Sequence, residues 1–222
     1  MSDAWETHAL REEARYHDGL ERLPDDSEAR QKQLVRIAMA AGGAGLARLM
    51  QGRRAEAADW FARSAERYRA SFSGAPPGSW GRLIGAVKAR VLAEDWDHAE
   101  ADAGWALAHD PGESESPIGC YAEVLADLVL GRDAEAAPFA RSLQAEQEAA
   151  FPRSVADALA ALAARDAEAY ADAADAVLRS FEEREAYLDD IPVADTVIVL
   201  EALAERRGVS AGLRSPLLPG QG

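Results

Sequence analysis

The 222-residue chain reads as an all-α protein, a right-handed stack of about ten antiparallel helices in one domain. Two observations predict this. Apolar residues recur at helical spacing along the chain, and the one run with strand character, Thr196 to Val199, lies between helical flanks. In addition, one pattern returns four times: an apolar helix end, a short polar break, and a small residue opening an amphipathic helix. Aligning Ala57 after Gly52, Ala99 after Glu94, Ala136 after Gly131 and Ala169 after Arg165 gives spacings of 42, 37 and 33 residues, near the ~34 of two-helix repeat units.

The elements follow in order. Asp3 and Glu6 stand at capping-box spacing and predict a first helix ending before Pro24; Asp25 and Glu28 repeat the signal for the second. That second helix has Leu34, Ala38, Ala41, Gly45 and Leu49 on its apolar face. Gly42, Gly43 and Gly45 inside it, each costing about 1 kcal/mol against alanine, predict a close helix crossing or a kink. GGAG is no phosphate loop, since it lacks a following lysine and a preceding strand. After the third helix, GAPPGSW breaks the chain and Trp80, Leu83, Ile84, Val87 and Val91 form the next apolar face. DPGESESP then precedes Ile118, Tyr121, Leu125 and Leu128, and beyond Phe151 alanine-rich helices follow. Pro192 suits the first turn of a last helix running to Gly208, with Val193, Val197, Leu200 and Ala204 inward. Residues 1–24 are expected to cap the stack, 25–190 to form the hairpins, and 191–222 to supply a closing helix and tail in which Leu213, Leu217 and Leu218 dock.

EDWDHAEADAGWALAHDP resembles the second half of a tetratricopeptide unit, with Trp96 at the aromatic position and Asp110-Pro111 closing the helix. The resemblance is architectural, over roughly residues 27 to 190. It implies a scaffold that holds a protein or peptide in a groove and implies no reaction. Trp60, Trp80, Trp96 and Trp105 are the candidate lining.

Composition narrows the function classes. No stretch approaches the ~18 apolar residues of a membrane span, and MSDAWETHALREE is polar and acidic where a secretory signal would be basic and then apolar, so a cytoplasmic location is expected. Cys120 is the lone cysteine and is expected to be a buried, inert thiol. The net charge of −15 argues against direct nucleic-acid binding. It is unevenly spread: residues 1–108 hold 15 Lys+Arg and 17 Asp+Glu, for −2, and residues 109–222 hold 9 and 22, for −13. Either a high-salt cytoplasm or a basic partner would use such a surface.

Catalytic and metal signatures are weak, and no cofactor is expected. His98, Asp102, Trp105 and His109 share a helical face, but His109 lies too far along it to join one ion. His8 with Glu12 and Glu13 with His17 are i,i+4 pairs of the kind that support a surface helix. The densest single-sign cluster is Glu182, Glu183, Glu185, Asp189, Asp190 and Asp195, the first place to seek a basic partner. Finally, ADTVIVLEALAERRGVSAGLRSPLLP resembles the closing helix, Arg-Gly turn and Ser-Pro tail of immunity proteins of the immunity protein 49 type. That resemblance implies toxin neutralisation, with the acidic surface covering a basic active site. The leading expectation is a non-catalytic protein-binding repeat; an immunity-type inhibitor and a metal-using or catalytic role for the His98 face are the alternatives.

Overall fold

The computed structural model describes residues 2–187 and 190–220, with side chains from Ala4 onward. Asp189 and the Asp3 carboxylate expected to cap the first helix therefore lie outside the described residues. The described chain is all-α, with ten helices and no strand: α1 (Ser2–Glu21), α2 (Ser27–Met50), α3 (Arg54–Phe72), α4 (Gly81–Leu92), α5 (Trp96–Leu107), α6 (Pro117–Val129), α7 (Asp133–Ala145), α8 (Arg153–Ala164), α9 (Ala167–Glu182) and α10 (Asp195–Glu205). A short 3-10 turn, Pro111–Glu113, precedes α6. No described helix is long and apolar enough to cross a membrane.

One turn is used four times. Gly52, Glu94, Gly131 and Arg165 take left-handed backbone conformations with φ of 75, 56, 72 and 52°. The following residues, Arg53, Asp95, Arg132 and Asp166, donate their N–H to the carbonyls of Arg48, Arg90, Asp127 and Ala161 at 2.9 to 3.1 Å. These bonds satisfy carbonyls that a helix end leaves open. The hairpins α2–α3, α4–α5, α6–α7 and α8–α9 are thus closed alike. In the next turn Ala57, Ala99, Ala136 and Tyr170 donate to the carbonyls of residues 53, 95, 132 and 166. This corrects the register of the last copy: Ala169 is exposed, and fully buried Tyr170 holds the equivalent place, 34 residues after Ala136. The turn occurs once more after α10, where Gly208 has φ 71° and Val209 donates to Ala204 at 3.0 Å. α10 is therefore built like the first helix of a fifth hairpin whose second helix is replaced by the tail.

Glu94 occupies a backbone region that costs a residue with a Cβ about 1–2 kcal/mol, and among the described residues its side chain makes an exposed pair with Arg54 and no other. Glu94→Gly is expected to raise stability by about 0.5–1 kcal/mol, after the entropy that glycine adds to the unfolded chain. A urea midpoint at or below wild type would contradict this.

The helix crossing expected at the glycines is present between α2 and α3. A Cβ on Gly45 would stand 2.6 Å from the ring of Phe61, and one on Gly43 would stand 2.9 Å from Ile191. The largest apolar cluster runs from α4 to the tail, and smaller ones join α1, α2 and α3. α10 packs on α8 and α9, as an end cap would, and also on α4. Lys88 of α4 donates to Asp195 at 2.8 Å, and Arg207, just past α10, donates to the Leu128 carbonyl at 2.6 Å and to Asp133 at 2.5 Å. The closing segment thus reaches back across earlier hairpins instead of only covering the last one. Ala194 donates to the Leu217 carbonyl, and Leu218 is buried.

Three local expectations change. Asp26, not Asp25, caps α2, accepting from the Ala29 N–H at 2.8 Å. α10 starts at Asp195, so Pro192 stands before it. Ile118 is exposed, while Tyr121, Leu125 and Leu128 on the same helix point inward.

Candidate functional site

The face carrying His98, Asp102 and His109 separates into three environments. Asp102 is buried and receives Arg69 and, at 3.3 Å, Arg90. His98 Nδ1 pairs with Asp95 at 2.9 Å, and His109 stacks on Phe72, with ring centroids 4.6 Å apart. Asp102 is therefore committed to two guanidinium groups, and neither histidine shares a partner with it. Among the described residues no group of three or more His, Cys, Asp or Glu side chains could hold a metal ion. On α1, Glu12 pairs with Arg11 and Arg15 and Glu13 with Arg48, so the expected carboxylates do not pair with His8 or His17.

The four tryptophans have different immediate neighbours. Trp60 is buried edge-on against Tyr16, with Arg63 over its ring. Trp105 packs on Phe72 under Arg69, and Trp96 lies under Arg206. Trp80 packs against the main core beside Gly119. Arginines of this chain stack on Trp60, Trp96 and Trp105, and of the four only Trp60 is buried, the others being half-buried.

The acidic cluster of 182–195 is partly used internally. Glu182 accepts from Ser215 at 2.7 Å, and Asp195 holds Lys88. Asp190 lies 3.8 Å from Arg11. Glu183 and Glu185 are exposed, with Arg184 between them in sequence and stacked on Phe181. Positive charge is therefore interleaved with this cluster.

A second group of carboxylates, drawn from separated stretches, is less compensated. Glu123 and Asp127 stand one turn apart on α6; Asp110 and Glu113 lie in the loop before it, Glu135 on α7, and Glu146 just after α7. Asp127 is buried as a residue, its carboxylate makes no hydrogen bond or ion pair among the described residues, and its oxygens are not among the buried atoms left without a partner, so they keep contact with solvent. Burial, helped by Glu123 and Glu135 and opposed by Arg132, pushes its pKa up to about 6. Glu123 is also raised, by burial and then by Asp110 and Glu113, although the Gly112 N–H donates to it at 3.1 Å. Cys120, half-buried and not fully buried as expected, has its thiol pushed up by burial and by Glu146 and Glu123, so the inert thiol is retained in partial exposure.

The hairpin register shows how unusual Asp127 is. Its slot holds Arg48 in the first copy, neutralised by Glu6 and Glu13, and Arg90 in the second, neutralised by Asp95 and Asp102. In the third the slot holds an acid facing further acids. The signal in the sequence was a charged residue inside the apolar run VLADLVL, four residues after Glu123, an i,i+4 like-charge pair that destabilises a helix. Chemically the group can accept a cation or, when Asp127 is protonated, donate one hydrogen bond.

Comparison with family models, curated proteins and solved structures yields no match. The site is argued from its geometry.

Proposed function

We propose that the chain acts by binding a basic segment of another protein and catalyses no reaction. The observation that carries this is Asp127, a carboxylate of a buried residue that makes no close ion pair among the described residues and has only Arg132 acting on it from nearby, in a slot where two other hairpins bury a neutralised charge. An incoming Lys or Arg would supply the missing charge, and Asp110, Glu113, Glu135 and Glu146 would surround it with an attractive rim. The repeated hairpin turn supports a binding scaffold, since such units carry function on side chains mounted on a rigid frame. The sharper form of this reading is an immunity-type inhibitor whose acidic face covers a cationic toxin surface. The likeness of the Ala194–Pro219 segment to immunity proteins favours that form.

Affinity capture from the native host lysate tests the reading, with three baits at low and high salt. Wild type and a Glu183→Gln, Glu185→Gln variant are expected to hold the same basic protein at low salt and release it at high salt. A Glu113→Gln, Glu123→Gln, Glu135→Gln variant is expected to lose it. Loss from the Glu183, Glu185 variant alone would move the binding face to residues 182–195. Retention by every bait at every salt would remove the electrostatic account.

A further inference from the structure

Among the described residues, the one buried side-chain nitrogen or oxygen without a hydrogen-bond partner is Nε of Arg67 on α3. A buried donor left unpaired destabilises a fold, so its presence asks for a reason, such as an ion or a functional role. The rest of this guanidinium is also little used. Of its five N–H groups, one on Nη2 reaches the Tyr16 hydroxyl on α1, at a long 3.4 Å. No carboxylate pairs with Arg67 among the described residues, and none pairs with Arg63, one turn before it on the same helix.

Both cations rest on one aromatic pair. Arg63 lies over the ring of Trp60, 4.4 Å from its centroid, which occupies a face of the guanidinium and leaves its N–H edge open. Trp60 and Tyr16 meet edge to face with centroids 5.3 Å apart, and the exposed His17 ring stands 6.1 Å from Trp60. Acids are not scarce nearby. Arg48, Arg53 and Arg54, around the α2–α3 turn, each hold a carboxylate. Asp59 and Glu66, the acids of α3 on either side of Arg63, are exposed and pair with neither guanidinium. Like charges at i and i+4 also disfavour a helix. Counted from Ala57, Ala99, Ala136 and Tyr170, the places of Arg63 and Arg67 hold Trp105 and His109, Ser142 and Glu146, and Ala176 and Ser180 in the later hairpins. The arginine pair belongs to the first hairpin alone.

Charge and donor count together select the ligand. Two guanidiniums without a carboxylate match two negative charges on one group, and their planar forks suit oxygens arranged about a single atom. A phosphate monoester carries about −1.5 to −2 and three acceptor oxygens, whereas a carboxylate carries one charge and two oxygens. The rings of Trp60 and Tyr16 are buried, so recognition rests on the phosphate and not on a stacked base. We propose that Arg63 and Arg67 bind a phosphate dianion, free or as a monoester, with the Tyr16 hydroxyl at its edge. This site lies on α1 and α3 and is independent of the acidic face on α6 and α7.

Isothermal titration of the purified full chain with inorganic phosphate, O-phosphoserine and acetate tests the proposal, at constant ionic strength and a pH above the second phosphate pKa of about 6. Both phosphates are expected to bind saturably and at least about tenfold more tightly than acetate, the effect of one further charge-assisted hydrogen bond. Equal affinity for the two assigns the site to the phosphate group alone, and tighter binding of O-phosphoserine assigns it to a phosphorylated molecule. Arg67→Gln and Arg63→Gln are each expected to weaken phosphate binding at least about tenfold. Arg63 is exposed, so Arg63→Gln keeps the helical circular dichroism and gives the readout should Arg67→Gln fail to fold. Arg141→Gln, at an exposed position on α7, is expected to bind as wild type does. Absence of phosphate binding at millimolar concentration, equal affinity for phosphate and acetate, undiminished binding by folded Arg63→Gln, or an equal loss in Arg141→Gln would each overturn the proposal.

Discussion

Asp102→Ala is expected to lose about 3–5 kcal/mol of stability, the usual consequence of removing one partner from a buried charge cluster. Asp102 is 4% exposed at its side chain and neutralises Arg90, itself 10% exposed, together with the half-exposed Arg69. Removing the carboxylate leaves Arg90 with Asp95 at 3.4 Å as its remaining acidic partner. Urea unfolding measures the loss directly. Arg69→Ala is expected to cost less, because that guanidinium is 41% exposed and returns largely to water. A shift below about 1 kcal/mol for Asp102→Ala would show that the cluster is not the structural tie inferred from its burial.

Asp127→Asn is expected to act in the opposite direction, stabilising the protein by on the order of 2 kcal/mol at pH 8. The folded protein keeps this proton up to about pH 6, whereas an ordinary aspartate releases it near 3.8. Between those values the folded state binds more protons than the unfolded chain, so wild-type stability falls as pH rises from about 4 to 6 and stays lowered above. Each pH unit in that window carries about 1.4 kcal/mol. The amide keeps the shape and removes the charge. Wild type and variant are expected to have similar stability near pH 4 and to diverge through pH 6. Parallel stability curves from pH 4 to 8 would contradict the perturbed carboxyl. A residue that lowers stability at neutral pH and regains its use on binding is the pattern expected of a functional position.

Local signals carried much of the architecture. Gly52 and Gly131 announced two hairpin turns, and Glu94 and Arg165 in equivalent polar breaks announced the other two, because any break between amphipathic helices forces the chain to reverse. The fourth register was misread by one residue. A small residue was sought in the slot where α9 places Tyr170, whose hydroxyl donates to Glu201 at 2.7 Å, a partner 31 residues away that no local pattern shows. The reach of α10 back to α4 was invisible for the same reason, since Lys88 and Asp195 meet across 107 residues.

The candidate site was less legible than the fold. Glu182 to Asp195 drew notice as a run, yet a run measures density along the chain and not compensation in space. Ser215, Lys88 and Arg11 all come from other elements. The carboxylates around Asp127 are scattered from Asp110 to Glu146, and their shared environment arises only when α6, α7 and the preceding loop pack together. The tryptophans are ambiguous in sequence for another reason. Large aromatic groups at helical spacing suit a groove or a core equally, and Trp60 under Arg63 and against Tyr16 belongs to the core.

The central claim is that Asp127 receives a cation from a protein partner, and proton release on binding tests it most directly. Isothermal titration of the captured basic protein into the chain at pH 6, in two buffers of different ionisation enthalpy, counts protons exchanged. A cation beside Asp127 lowers its pKa, so wild type is expected to release protons on binding and to bind more weakly as pH falls from 7 to 5. Asp127→Asn is expected to release fewer. Binding by wild type and Asp127→Asn with equal affinity and no proton release in either would contradict the account.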